Sequence, residues 1–181
     1  MKRSLGLFGC LFLTTVYAAP ATTTYDVEVL VFENRLPQLE GGELWTRDNA
    51  RSPIADLTDA VTLGDAPPED SPLSTAAKTL ERDGNYRVLV YQHWRQTAEE
   101  RSATKPVRLR NTDGQLDGTL RFYLSRFLHV DLDLALQEKA PATGELNYRL
   151  SENRRIKTQE LNYFDHPKFG VLMRVTSAGK E

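Results

Sequence analysis

Residues 116–136 read LDGTLRFYLSRFLHVDLDLAL, and the way this run divides decides the fold. Leu116, Leu120, Phe122, Leu124, Leu128, Val130, Leu132, Leu134 and Leu136 all occupy even positions, while Asp117, Thr119, Arg121, Asp131 and Asp133 occupy odd ones. A period of two is the pattern of a strand with one buried face. One strand over the whole run would be several times longer than the usual five or six residues. A bend or bulge near Ser125-Arg126 is therefore expected, letting the two halves pair with different neighbours. A hairpin is disfavoured, because Leu124-Ser125-Arg126-Phe127 contains no turn-forming Gly, Asn or Pro. Arg126, standing inside the apolar series, predicts a buried ion pair with Glu152 or Glu160.

Strand patterns recur on both sides of this run. Tyr25, Val27, Val29 and Val31 alternate with Asp26, Glu28, Leu30 and Phe32. In NYRVLVYQHWRQ (85–96), Val88 and Val90 alternate with Leu89 and Tyr91, so both faces are apolar and a central strand is expected. Residues 97–113 read as a charged loop. Leu146, Tyr148 and Leu150 resume the alternation, Leu161 and Tyr163 continue it, and GVLMRVT (170–176) supplies a last strand. One helix is well marked in DSPLSTAAKTLERDG (70–84). Asp70 or Ser71 caps it, Pro72 suits its first turn, Gly84 offers a left-handed stop, and Leu73, Ala76, Ala77 and Leu80 share a face. Residues 35–70, rich in Pro, Gly and Asp, read as a long irregular excursion holding at most a short helix within IADLTDAVTL. The sum is an α+β domain: a mainly antiparallel sheet of about five or six strands with one clear helix.

The N-terminus reads as a leader. Lys2 and Arg3 precede an uncharged apolar segment, residues 5–18. It is shorter than the about 20 residues needed to span a bilayer. Val16 and Ala18 sit at −3 and −1 of a cleavage site, so residues 1–18 are read as a secretory signal and 19–181 as one exported domain. The only cysteine, Cys10, lies in the leader, so the mature domain relies on its core and not on disulfides. The leader takes two of the 23 basic residues against 25 acidic ones, so cleavage makes the net charge of −2 more negative. No basic excess is left to hold nucleic acid, and no second stretch is long enough to span a membrane.

Asp165-His166-Pro167-Lys168-Phe169-Gly170 lies between two strand patterns. Asp can bond backbone two residues on, Pro fixes φ and Gly tolerates positive φ, so Asp165, Pro167 and Gly170 read as a turn between antiparallel neighbours. The block around it, RRIKTQELNYFDHPKFGVLMRV (154–175), resembles the C-terminal signature of the CsiV family. YDVEVLVFEN (25–34), YRVLVYQHWRQ (86–96) and LDGTLRFYLSRFLHVDLDL (116–134) are similar to the family's other blocks, in the same order. The resemblance implies a periplasmic, non-catalytic peptidoglycan-binding protein of Gram-negative bacteria that supports wall synthesis and cell shape. A penicillin-binding synthase or its lipoprotein activator is the partner to expect, and no cofactor or metal is implied.

Residue chemistry is compatible with that implication. Rings stack on sugars, and the planar guanidinium fork matches the carboxylates of peptide stems. The expected contact set is Trp94, Arg95, Arg126, His129, Arg154, Arg155, Tyr163 and His166, converging on one open groove. Arg154 and Arg155 point to opposite faces if extended. Local hydrolase signals are absent, with no His-x-x-x-His and no Gly-x-Ser-x-Gly. Asp131, Asp133 and Glu160 keep open a cryptic wall hydrolase, and a purely protein-binding adaptor is the other alternative.

Overall fold

The computed structural model describes residues 23–35, 57–63, 70–140 and 144–180. The leader expected at 1–18 and most of the 35–70 excursion lie outside the described residues. In chain order the elements are β1 (Thr23–Asn34), a 3-10 turn (Leu57–Asp59), β2 (Val61–Thr62), α1 (Pro72–Arg82), β3 (Tyr86–Thr97), β4 (Val107–Arg110), β5 (Leu116–Leu124), β6 (Leu128–Ala140), β7 (Gly144–Arg155), β8 (Leu161–His166) and β9 (Phe169–Lys180). Nine strands thus form among the described residues, against the five or six implied by the pattern. β4 and β2 account for part of the difference: both are too short to show a period, and β4 sits in what reads as charged loop.

The strands make two sheets, β3-β1-β9-β8 and β2-β4-β5-β6-β7, and every pairing is antiparallel except that of the two-residue β2 with β4. The decisive run is a hairpin. Leu124 pairs with Leu128, and the register runs on to Leu116 opposite Leu136. Ser125, Arg126 and Phe127 form its tip, where the Ser125 N–H donates to the Phe127 carbonyl at 2.9 Å. The reason the alternation survives is parity. With three residues in the tip, each even residue of β5 faces an even residue of β6, and both point the same way. No bulge is needed, and Arg126 is at the exposed tip, not in a buried ion pair. Glu152 pairs instead with Arg154, and Glu160 with Lys157.

The inward even positions meet the first sheet face to face. Leu116, Leu120, Phe122, Val130, Leu132, Leu134 and Leu136 share one core with Val27, Val29, Val31, Phe164, Val171, Met173 and Val175. Phe122, Phe164 and Phe169 are the bulkiest of its fully buried side chains. Burial of this kind contributes about 25 cal/mol per Å² of apolar surface. Gly118 is the one inward even position of β5 without a side chain. A Cβ there would lie 2.2 Å from the Asp133 carbonyl, so the two strands approach only because it is glycine.

Helix α1 covers the other face of the first sheet, with Leu73 and Ala77 packed on Leu30 beside Val88, Tyr91 and Leu172. Three layers result: helix, sheet, sheet. β3 is an edge strand and not the central one its sequence implies. Val88 and Tyr91 face the helix while Leu89, Val90 and Trp94 face the second sheet, so coverage of both faces explains the apolar pattern.

The helix starts where expected. Ser71 accepts from the Ser74 N–H at 3.1 Å and Ser74 Oγ accepts from the Ser71 N–H at 3.3 Å, a capping box. Ser71 Oγ also donates to buried Glu28, which accepts from the Tyr91 hydroxyl at 2.5 Å. Burial and the Glu28 carboxylate push the Tyr91 phenol up to about 12. The helix stops differently from the expectation: Asp83, at φ −85° and ψ 112°, turns the chain extended, and Gly84 has no left-handed φ.

The β8–β9 connection is a two-residue turn, Pro167-Lys168, with His166 opposite Phe169 and Asp165 opposite Gly170. Neither turn residue has a positive φ. Asn34 of β1 holds the turn from outside, its N–H donating to the Lys168 carbonyl at 2.8 Å and its amide to the Pro167 carbonyl at 3.4 Å. Gly170 is needed for space and not for φ, since a Cβ there would lie 2.6 Å from Phe32 and 2.9 Å from Tyr163.

Candidate functional site

The outer face of the second sheet is built by the odd positions of β5, β6 and β7 and the even ones of β4. It is a ladder of cross-strand ion pairs. Arg108 grips Asp117 through Nε and Nη2 at 2.8 and 2.6 Å, and Arg149 grips Asp133 at 2.8 and 2.7 Å. Such forks fix side chains in place and neutralise the middle of the face. Asp117 holds the Arg108 guanidinium above its ordinary range.

Towards the hairpin tip the face deepens into a groove of about 1060 Å³, lined by Glu99, Glu100, Arg101, Ser102, Tyr123, Leu124, Ser125, Arg126, His129 and Asn153. Its wall is the 98–106 loop. The Leu124 N–H donates to the Glu99 carbonyl at 2.7 Å, Arg121 donates to the Arg101 carbonyl at 3.0 Å, and Arg101 Nε meets Asp131 at 2.6 Å. The loop is therefore fastened to the sheet and the groove is formed before any ligand arrives. Tyr123 makes the floor, stacked on His129 with centroids 5.5 Å apart. Its hydroxyl donates to Asp131 at 3.2 Å and accepts from the Asn153 amide at 3.0 Å. His129 Nδ1 is buried without a hydrogen-bond partner among the described residues. A smaller trough of about 300 Å³, lined by Thr119, Arg121, Asp133 and Ser151, shares Arg101 and Asn153 with this groove and extends it along the sheet.

At the tip, Phe127 is 38% exposed, and two guanidiniums converge on it: Arg155 at 3.5 Å and Arg126 at 5.4 Å from the ring centroid. Neither pairs with a carboxylate among the described residues, in contrast to Arg87, Arg95, Arg101, Arg108, Arg149 and Arg154. Cation–π contact orients the two heads while leaving their donors open to an incoming acid.

Of the residues expected to share one groove, the structure brings together Arg126 and His129 as lining and Arg155 beside them. The others lie elsewhere. Trp94 is a core residue, 8% exposed, with its indole N–H donating to Gln96 at 2.6 Å. Arg95 is exposed on the helix side of the first sheet, where it forks onto Asp26 at 2.8 and 3.2 Å and holds that carboxyl below the usual range. Arg154 points inward, opposite to Arg155. It bonds Glu152 at 2.7 Å and the Tyr163 carbonyl at 2.9 Å and lies 4.0 Å over Phe164, so it braces β7 against β8 across the two sheets.

Tyr163 and His166 line a separate cleft of about 290 Å³ with Phe32, Asn34, Leu80, Tyr86, Asp165, Pro167, Phe169 and Gly170. His166 accepts from the Lys168 N–H through Nδ1 at 3.1 Å, and burial lowers its pKa. One groove is therefore corrected to two, on opposite outer layers, with Trp94, Arg95 and Arg154 in neither. Among the described residues no group of three His, Cys, Asp or Glu could hold a metal ion. Asp131, Asp133 and Glu160 are each engaged by a cation.

Sequence reasoning missed Tyr123, Asn153 and Arg101. Tyr123 did carry a signal: it is a large ring on the polar parity of β5. Arg101 carried none, because a loop arginine acquires meaning only from what it lands on.

An open trough of rings, amides and guanidiniums on a rigid sheet is the layout of a binding module. The chain belongs to the CsiV family: a family model described as "Peptidoglycan-binding protein, CsiV" matches residues 2–178. A search of curated proteins found no match. A search of solved structures found none either.

Proposed function

We propose that this chain is a non-catalytic peptidoglycan-binding protein of the periplasm. It supports wall synthesis and cell shape by assisting a penicillin-binding synthase or its lipoprotein activator. The family's description supports the wall as ligand. The observation that carries the choice of site is the pair Arg126 and Arg155, free of carboxylate partners among the described residues and gathered on Phe127 beside the large groove. Stem-peptide carboxylates are acceptors for those two forks, and the exposed Phe127 offers a ring face to the sugar.

Sedimentation with purified sacculi tests this. The wild type is expected to pellet with the wall. Arg126→Ala with Arg155→Ala removes two charge-assisted contacts worth about 1.5–3 kcal/mol each, so affinity should fall by roughly tenfold or more per arginine. A wild type that stays in the supernatant refutes wall binding. A double variant that pellets like the wild type moves the contact to another surface.

A further inference from the structure

The geometry points to the cleft between α1, β1 and β8 as a second subsite, one that stacks a neutral N-acetylated sugar ring. Tyr163 is 46% exposed although it sits on a strand. Behind it lies Phe32, near-parallel at 8° with centroids 6.4 Å apart, and Tyr86 meets Phe32 edge-on at 5.7 Å. These rings can lean together only because the strand between them carries Gly170, whose missing Cβ leaves their place empty. Glycine inside a strand weakens it and often marks a point of close approach. Here it yields an aromatic surface backed on one side and open on the other.

The polar rim selects the ligand. The Tyr163 hydroxyl donates to Asp165 Oδ1 at 2.7 Å. Asp165 Oδ2 has no partner among the described residues and is an acceptor for sugar hydroxyls. Partial burial and Asp165 push the Tyr163 phenol up to about 12, so the ring stays neutral. No Lys or Arg lines the cleft, and its one acidic residue repels carboxylates. The arginine groove has the opposite chemistry. The cleft's volume of about 290 Å³ is at the lower bound of small-molecule sites, enough for a sugar unit but not a folded peptide. The inference rests on the wall-binding reading only for the origin of the sugar.

Titration of the whole protein with chitotetraose, followed by NMR or intrinsic fluorescence, tests it. The wild type should bind, with Tyr163 among the perturbed residues. Tyr163→Ala should weaken binding roughly tenfold, and Tyr163→Phe should keep most of it. No binding by the wild type overturns the subsite, even if the protein pellets with sacculi. Chitotetraose binding without sacculus binding keeps the subsite and refutes the wall reading. Equal losses in the Ala and Phe variants would put recognition in the hydroxyl and overturn stacking, with thermal melts confirming that both fold.

Discussion

Gly170→Ala adds one methyl group at the point where three aromatic constraints meet. The new Cβ would lie 2.6 Å from Phe32 Cζ and 2.9 Å from Tyr163 Cε2. Carbon contacts settle at about 3.5–4.0 Å, so each ring must give by roughly 1 Å. Phe32 is only 9% exposed and is hemmed by Tyr86, whereas Tyr163 is free to swing towards solvent. Overpacking of this kind costs about 1–3 kcal/mol, and loss of the Phe32–Tyr163 stack adds about 0.5–1.5 kcal/mol. For a chain of this size each kcal/mol moves Tm by about 2–4 °C, which gives a drop of roughly 3–18 °C. Thermal unfolding by circular dichroism reads that drop, and chitotetraose titration reads the displaced platform. Gly84→Ala is the control, because nothing lies within 4 Å of a Cβ there. A Gly170→Ala protein that melts and binds sugar like the wild type would refute both the packing argument and the role of the rings.

Ser71→Ala removes the helix cap and one of the two hydroxyl donors on buried Glu28, so a loss of about 2–3 kcal/mol in urea unfolding is expected, with wall binding retained. His166 has a folded pKa below its ordinary 6.5 because of burial. The unfolded chain therefore takes up the proton first, and the stability due to neutral His166 is complete above 6.5 and is lost as pH falls through the folded pKa. Tm should decline as pH falls below the ordinary 6.5, and His166→Gln should flatten that decline; an unchanged slope would show that another group is responsible.

The sequence alone determined which way most side chains point. The even positions of 116–122 and 128–136 are inward, the face of α1 that packs was visible in Leu73 and Ala77, and the Pro167 turn was legible because φ is fixed locally. The contact set was less legible. Trp94 and Arg154 carry the right chemistry for a wall ligand but are consumed by the core and by the brace between β7 and β8. Tyr123 and Asn153 became a groove floor only when β7 was laid beside β6. Period two records the face of a residue and not its partner. A strand and a hairpin with an odd tip give the same string of alternating residues, so only the long-range packing of two sheets decided where the run folds back, how many strands there are, and which rings and guanidiniums meet.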